Sequence, residues 1–179
     1  MINVEAPVLV SWYRSGVVEP AATSPYRTVL RKEESYAIHA LIYAAENPGA
    51  AAARIAADLK KPPAFLAKVL RRLAQAGYVE NRQGRNGGVT LIVDPATVSL
   101  LDVIETMSGP LVVDTCQTRE RCATTERKGY CRLNLAWIGA SLTIREALSS
   151  VRLDQLIDPP GGNGAAPTPT TRGRVSADA

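Results

Sequence analysis

A chain of 179 residues suits one domain of ordinary size with a helix or tail appended, and it excludes two full enzyme domains. Apolar residues make up 46% and aromatic residues 5%, a balance that favours helices packed through aliphatic ridges over an aromatic-rich sheet. The formal net charge is +4, yet residues 51–90 alone set eight Lys and Arg against Asp58 and Glu80; this concentration suits a polyanion, with a scattered solvated surface as the alternative.

Residues 1–27 show no sustained periodicity and contain Pro7, Pro20 and Pro25, which predicts a flexible N-terminal extension. The apolar stretch at 7–12 is too short for a secretory signal, and no later run approaches the length of a membrane span. A cytoplasmic protein with no membrane partner is expected, and its three cysteines should then be reduced.

The first helix is predicted over 32–46, where Tyr36, Ala37, Ala40, Leu41 and Ala44 recur at three and four residue steps, and Asn47-Pro48-Gly49 stops it. A second helix over about 50–59 turns Ile55 and Ala56 inward, and Lys60-Lys61-Pro62-Pro63 forms a turn into the third. That third helix runs to Ala76 and ends at Gly77, with Phe65, Leu66, Val69, Leu70 and Leu73 in one apolar stripe and Lys68, Arg71 and Arg72 left toward solvent.

Residues 78–82 and 89–93 read as two strands around a turn rich in Asn and Gly, and the glycines allow the tip to approach another backbone or a groove. A fourth helix over 99–107 has Ser99 as its cap and Leu100, Val103 and Ile104 toward the core. Periodicity is lost from 109 to 131, a long loop that carries all three cysteines. The last helix, about 132–151, has an apolar set of Leu135, Trp137, Ile138, Leu142, Ile144 and Leu148, wider than one small domain needs, so a second chain could cover the surplus. From Pro159 the composition predicts a disordered tail.

The predicted fold is mainly α: a winged helix-turn-helix with a small β-hairpin wing and a long C-terminal dimerisation helix. Residues 28–98 form the DNA-binding domain and 99–158 the cysteine loop and dimerisation helix. No nucleophile elbow, P-loop or Rossmann glycine pattern is present, so an enzyme is not expected.

The succession Tyr36-Ala37, Ala40-Leu41, Ile55-Ala56, Phe65-Leu66 with Leu70, Leu73, Gly77 and Val79, then Gly84, Gly87-Gly88, Val103-Ile104, Gly109-Pro110 and Asp114-Thr115-Cys116 resembles the iron-sulfur cluster regulator family of winged-helix regulators, the IscR and NsrR type, over about 28–158. The resemblance implies a homodimer on a double-stranded DNA operator, joined by the C-terminal helix, with a recognition helix at 63–76 and a wing at 82–88. Phe65, Lys68, Arg71, Arg82, Gln83, Arg85 and Asn86 are the expected DNA-binding residues. Gln83 stands where the family has a minor-groove arginine, so Arg82 or Arg85 takes that role or the operator preference differs.

The resemblance also implies an iron-sulfur cluster, of the 2Fe-2S type, on Cys116, Cys122 and Cys131, which would sense redox state, nitric oxide or cluster status. The stretch between Cys122 and Cys131 is longer than the family's by roughly one helical turn. A fourth ligand is expected from the first helix, His39 ahead of Glu34, or is not supplied by the protein; Ser35 occupies another first-helix ligand position, and Asn134 stands where some relatives carry a ligating histidine. Arg119, Arg121, Arg127, Lys128 and Arg132 are expected to lower the thiol pKa values. The alternative is a cluster-free regulator whose three thiols sense oxidants directly; zinc is weaker because paired Cys-x-x-Cys units are lacking.

Overall fold

The structure is a computed structural model that describes residues 28–82 and 87–158. The N-terminal extension, the C-terminal tail and the wing-tip residues Gln83, Arg85 and Asn86 lie outside the described residues.

Helix α1 (Lys32–Glu46) places Glu33 and Glu34 in its first turn, where carboxylates complement the positive end of the helix dipole, and buries Ala37, Ala40, Leu41 and Ala44. Helix α2 (Ala52–Asp58) buries Ile55 and Ala56. Helix α3 (Pro63–Gln75) starts on a proline, whose fixed φ suits the first turn, and buries Leu66, Val69, Leu70 and Leu73 along one stripe. Gly77, at φ +80°, turns the chain out of α3 in a conformation that costs a residue with a Cβ.

Strands β1 (Val79–Arg82) and β2 (Gly88–Leu91) pair antiparallel with Val79 opposite Leu91 and Arg82 opposite Gly88, forming the predicted wing. The wing is pinned along its second strand: Gly49 N–H donates to Val89 O at 3.0 Å, and Val89 N–H to Ala50 O at 2.9 Å. Gly88 is therefore a packing requirement, because a Cβ there would overlap the carbonyl oxygen of Gly49.

Helix α4 (Leu100–Ser108) opens on a capping box in which Asp102 N–H donates to Ser99 Oγ at 3.1 Å and Ser99 N–H to Asp102 Oδ2 at 2.8 Å. The Ser99 hydroxyl also donates to that carboxylate, which is held below its ordinary value of 3.8 by this bond first and the backbone bond second. Leu101, Val103, Ile104 and Met107 are buried, and Val103 and Met107 join the same core as α1, α2, α3 and the wing.

The segment with no periodicity contains a 3-10 turn at Thr115–Gln117 and helix α5 (Ala123–Lys128), the latter filling most of the stretch between Cys122 and Cys131. Helix α6 (Arg132–Ser149) is the long C-terminal helix. The chain then returns to the body, where Leu153 N–H donates to Val98 O at 2.9 Å and the Leu153 side chain enters the core. No helix among the described residues is long and apolar enough to cross a membrane.

Candidate functional site

Helices α2 and α3 are joined by a tight turn in which Lys60 adopts φ +51° and Lys61 N–H donates to Ala56 O at 2.8 Å. The Lys61 ammonium sits 4.6 Å from the ring centroid of Tyr36 on α1, and Phe65 meets that ring edge-on at 5.3 Å. Phe65 is thus half-buried on the shoulder of α3 that faces α1. On the same shoulder, Glu33 accepts an ion pair from Lys68 at 3.5 Å and from Arg72 at 3.4 Å, and Arg72 also reaches Thr106 O on α4 at 3.5 Å. Arg71 is exposed and has no ion-pair partner among the described residues, while Arg82 on β1 pairs with Glu80 at 3.0 Å and stays largely exposed.

The cysteine loop is organised by the inner face of α6. Asn134 donates to Cys116 O at 3.2 Å and approaches Cys116 Sγ at 3.8 Å. Ser141 accepts from Val113 N–H at 2.9 Å and donates to Gln117 at 3.0 Å. One turn further, Arg145 pairs with Glu105 of α4, and that carboxylate also accepts from Leu111 N–H at 2.9 Å. The loop, α6 and the core helix α4 therefore meet at Glu105.

The three thiols sit in different surroundings. Cys116 lies in the 3-10 turn, and partial burial, followed by its hydrogen bond with Asp114, raises its pKa; a negative charge on nearby Cys131 adds to that rise. Cys122 is the residue before α5, and the nearby backbone N–H groups of Thr125 and then Thr124 lower its pKa. Cys131 precedes α6. The expected role of the neighbouring arginines is corrected here: backbone N–H groups lower Cys122, Cys116 moves the other way, and Arg121 is engaged with Glu126 at 3.1 Å. All three cysteines are free and partly accessible.

His39 lies exposed on α1. Among the described residues no three Cys, His, Asp or Glu side chains are gathered in a metal-binding arrangement. The donor chemistry, three soft sulfurs in one loop, suits an iron-sulfur cluster, while the described side chains, the three cysteines and His39 included, are not gathered around one position.

A family model described as an iron-dependent transcriptional regulator, Rrf2, matches residues 30–159, most of the chain and all of the elements described above. The chain belongs to the Rrf2 family. It is accordingly a DNA-binding transcriptional regulator, with the winged-helix architecture its sequence predicts. It is 32% identical to protein aau3 of Rhizobium meliloti over 133 residues, covering 72% of this chain and 84% of that one. It is also 32% identical to the transcriptional repressor NsrR of Streptomyces coelicolor over 101 residues, covering 56% and 66%. The solved structure of CymR, the global cysteine regulator of B. subtilis, shares the fold with a TM-score of 0.56 at 23% identity, over 71% of this chain and 94% of that one.

Within this Rrf2 chain, sequence reasoning missed the contacts that act across elements. Glu33, Glu105, Ser141 and Arg145 each tie one element to another without lying in a recognisable motif, and Asn134, noted only for its place after the third cysteine, does the same. A usable signal exists for α6: Asn134, Ser141 and Arg145 recur at seven and four residue steps, a polar stripe beside the apolar one.

Proposed function

We propose that this Rrf2 regulator binds a double-stranded DNA operator as a homodimer in the cytoplasm, with α3 in the major groove and the wing against the flanking backbone or minor groove, and that its cysteine loop is the sensor. The observation that carries the reading is the free face of α3, a helix without a single carboxylate that presents Lys68 and Arg71 to solvent behind a turn with Lys60 and Lys61. The domain division follows: the winged helix reads DNA, and the cysteine loop with α6 senses and dimerises. Leu135, Ile138 and Leu142 lie exposed along one side of α6, at the spacing of a helix-packing seam, which supports dimerisation there.

Cys116, Cys122 and Cys131 are the proposed holders of an iron-sulfur cluster, with His39 the first candidate for the remaining position. When bound, such a cluster supplies a redox- and nitric-oxide-sensitive centre on soft thiolate ligands. The protein's own part is mechanical. Asn134 and Ser141 hold the loop on α6, and Glu105 holds both to α4, so a change in loop geometry is delivered to the helix that contacts Arg72 of α3. A cluster-free thiol sensor is the second reading, favoured by the lowered pKa of Cys122, which raises the fraction of thiolate, the form that reacts with oxidants.

The test is an absorbance spectrum with iron and sulfide assay on protein purified without oxygen, followed by a salt-dependent DNA shift. Charge-transfer absorbance that vanishes in Cys122→Ala, with the winged helix still folded, is the result expected of a cluster. A colourless, iron-free protein that shifts DNA and loses that shift on oxidation moves the thiol reading to first place. Failure to shift any DNA at low salt would falsify the regulator reading itself.

A further inference from the structure

Beyond Pro63 at its start, the exposed residues of α3 form one stripe, Ala64, Ala67, Lys68, Arg71 and Gln75, directly opposite the buried Leu66, Val69, Leu70 and Leu73. The basic residues near this stripe are not equivalent. Glu33 of α1 pairs with both Lys68 and Arg72; Arg72 is further held by Thr106 O and is committed to the seam between helices, whereas Lys68 remains exposed on the stripe. Arg71 has no such partner among the described residues. Ala64 and Ala67 carry nothing beyond a methyl group, which lets the backbone of α3 come close to whatever faces it.

We propose that this stripe sets the base preference of the operator: the methyl groups of Ala64 and Ala67 pack on thymine C5-methyl groups in the major groove, and the Arg71 guanidinium donates to O6 and N7 of a guanine. Arg72 is a positioning residue that holds the angle of α3 through Glu33, and Lys68 on the exposed stripe meets phosphate. The assignment rests on the DNA-binding reading above and extends it to the bases. Its physical basis is complementarity of type. A small apolar side chain matches the one apolar group on the major-groove edge, arginine matches the two acceptors of guanine, and a carboxylate-free helix admits the phosphates on either side. Ala67 and Arg71 are one helical turn apart, about 5.4 Å, so the thymine and guanine fall within about two base pairs of each other in a half-site.

The test uses the full chain, both as purified without oxygen and after exposure to air, to select duplexes from a randomised pool. A half-site containing that thymine and guanine is expected. Replacing the thymine by deoxyuridine, which removes only the methyl, should weaken binding roughly threefold. Arg71→Ala should lose the guanine preference by roughly fivefold to a hundredfold. Ala67→Glu should move the preference from thymine to cytosine, whose N4 amine glutamate can accept. Lys68→Ala should weaken every duplex alike.

Selected half-sites in which deoxyuridine is without effect, or base preferences unchanged in Arg71→Ala, overturn the assignment while leaving DNA binding intact. The deoxyuridine arm needs no variant, so misfolding cannot produce that result. Retention of no duplex under either condition overturns the DNA-binding reading and this assignment with it.

Discussion

Between Lys32 and Ser108 the protein buries Leu41, Ile55, Leu66, Leu70, Leu73, Ile104 and Met107 completely or nearly so, whereas between residues 109 and 149 the one buried residue among those described is Ser141. The first region closes its core within a single chain. The second is held by hydrogen bonds from the inner face of α6 and leaves Leu133, Leu135, Ile138 and Leu142 exposed. Few buried contacts predict a low local opening free energy, and the unfinished apolar surface is what the proposed sensing and dimerisation role of this region rests on.

Removing core volume tests the first half of that comparison most severely. Leu70→Ala, on the buried stripe of α3, is expected to cost about 2–5 kcal/mol through lost burial and the cavity left behind. Urea or thermal unfolding measures this, and a loss below about 1 kcal/mol would mean that the body tolerates collapse as the loop does. On the outer face of α6 the same kind of change should act on assembly. Leu142→Glu is expected to remove about 2 kcal/mol of association per protomer, shifting dimer to monomer in sedimentation at micromolar concentration, with the unfolding of the winged helix unchanged. An unaltered dimer would place the interface elsewhere.

The difference between the regions also explains what the sequence could reveal. Helices α1, α3 and α4 were legible because Ala37, Ala40, Leu41 and Ala44 in the first, Leu66, Val69, Leu70 and Leu73 in the second, and Leu100, Val103 and Ile104 in the third recur at helical spacing, and Ser99 and Gly77 mark ends. The winged-helix order and the glycine that lets the wing approach Gly49 followed from the same local rules. Glu33 was not legible as the partner of Lys68 and Arg72, since an acidic residue at a helix start already has a local reason to be there and the contact depends on how α1 crosses α3. The apolar excess of α6 was visible, but not that Trp137, Ile144 and Leu148 turn inward while Leu135 and Leu142 turn out. The thiol environments escaped for a similar reason: arginines close in sequence drew attention, whereas the backbone of a short helix hidden in an aperiodic loop is what chiefly lowers the pKa of Cys122.

At the start of α4 the expected effect is smaller. Ser99→Ala removes a cap and should cost about 1 kcal/mol at neutral pH, read by chemical denaturation. The pKa of Asp102 is lowered in the folded state, so its contribution is complete above the ordinary value of 3.8 and is lost as pH falls through the lower folded value. The gap between Ser99→Ala and the native chain should therefore narrow in acid. A gap that widens there would assign the cap's effect to something other than the Asp102 charge.

The smallest effect on global stability should come at the joint between the two regions, and it is the most informative. Arg145→Met keeps the aliphatic stem but removes the ion pair with Glu105, which is partly screened by solvent, so the body should lose no more than about 1 kcal/mol. Leu111 N–H still donates to Glu105, yet α6 no longer shares that carboxylate, and the loop loses its common anchor. Hydrogen exchange should then rise across residues 109–131 while the amides of α1 and α3 keep their protection. If exchange rises equally in both, the two regions unfold as one unit and the joint is part of the core; if it rises in neither, the loop is held by Asn134 and Ser141 alone, and the path from the cysteines to α4 does not run through Glu105.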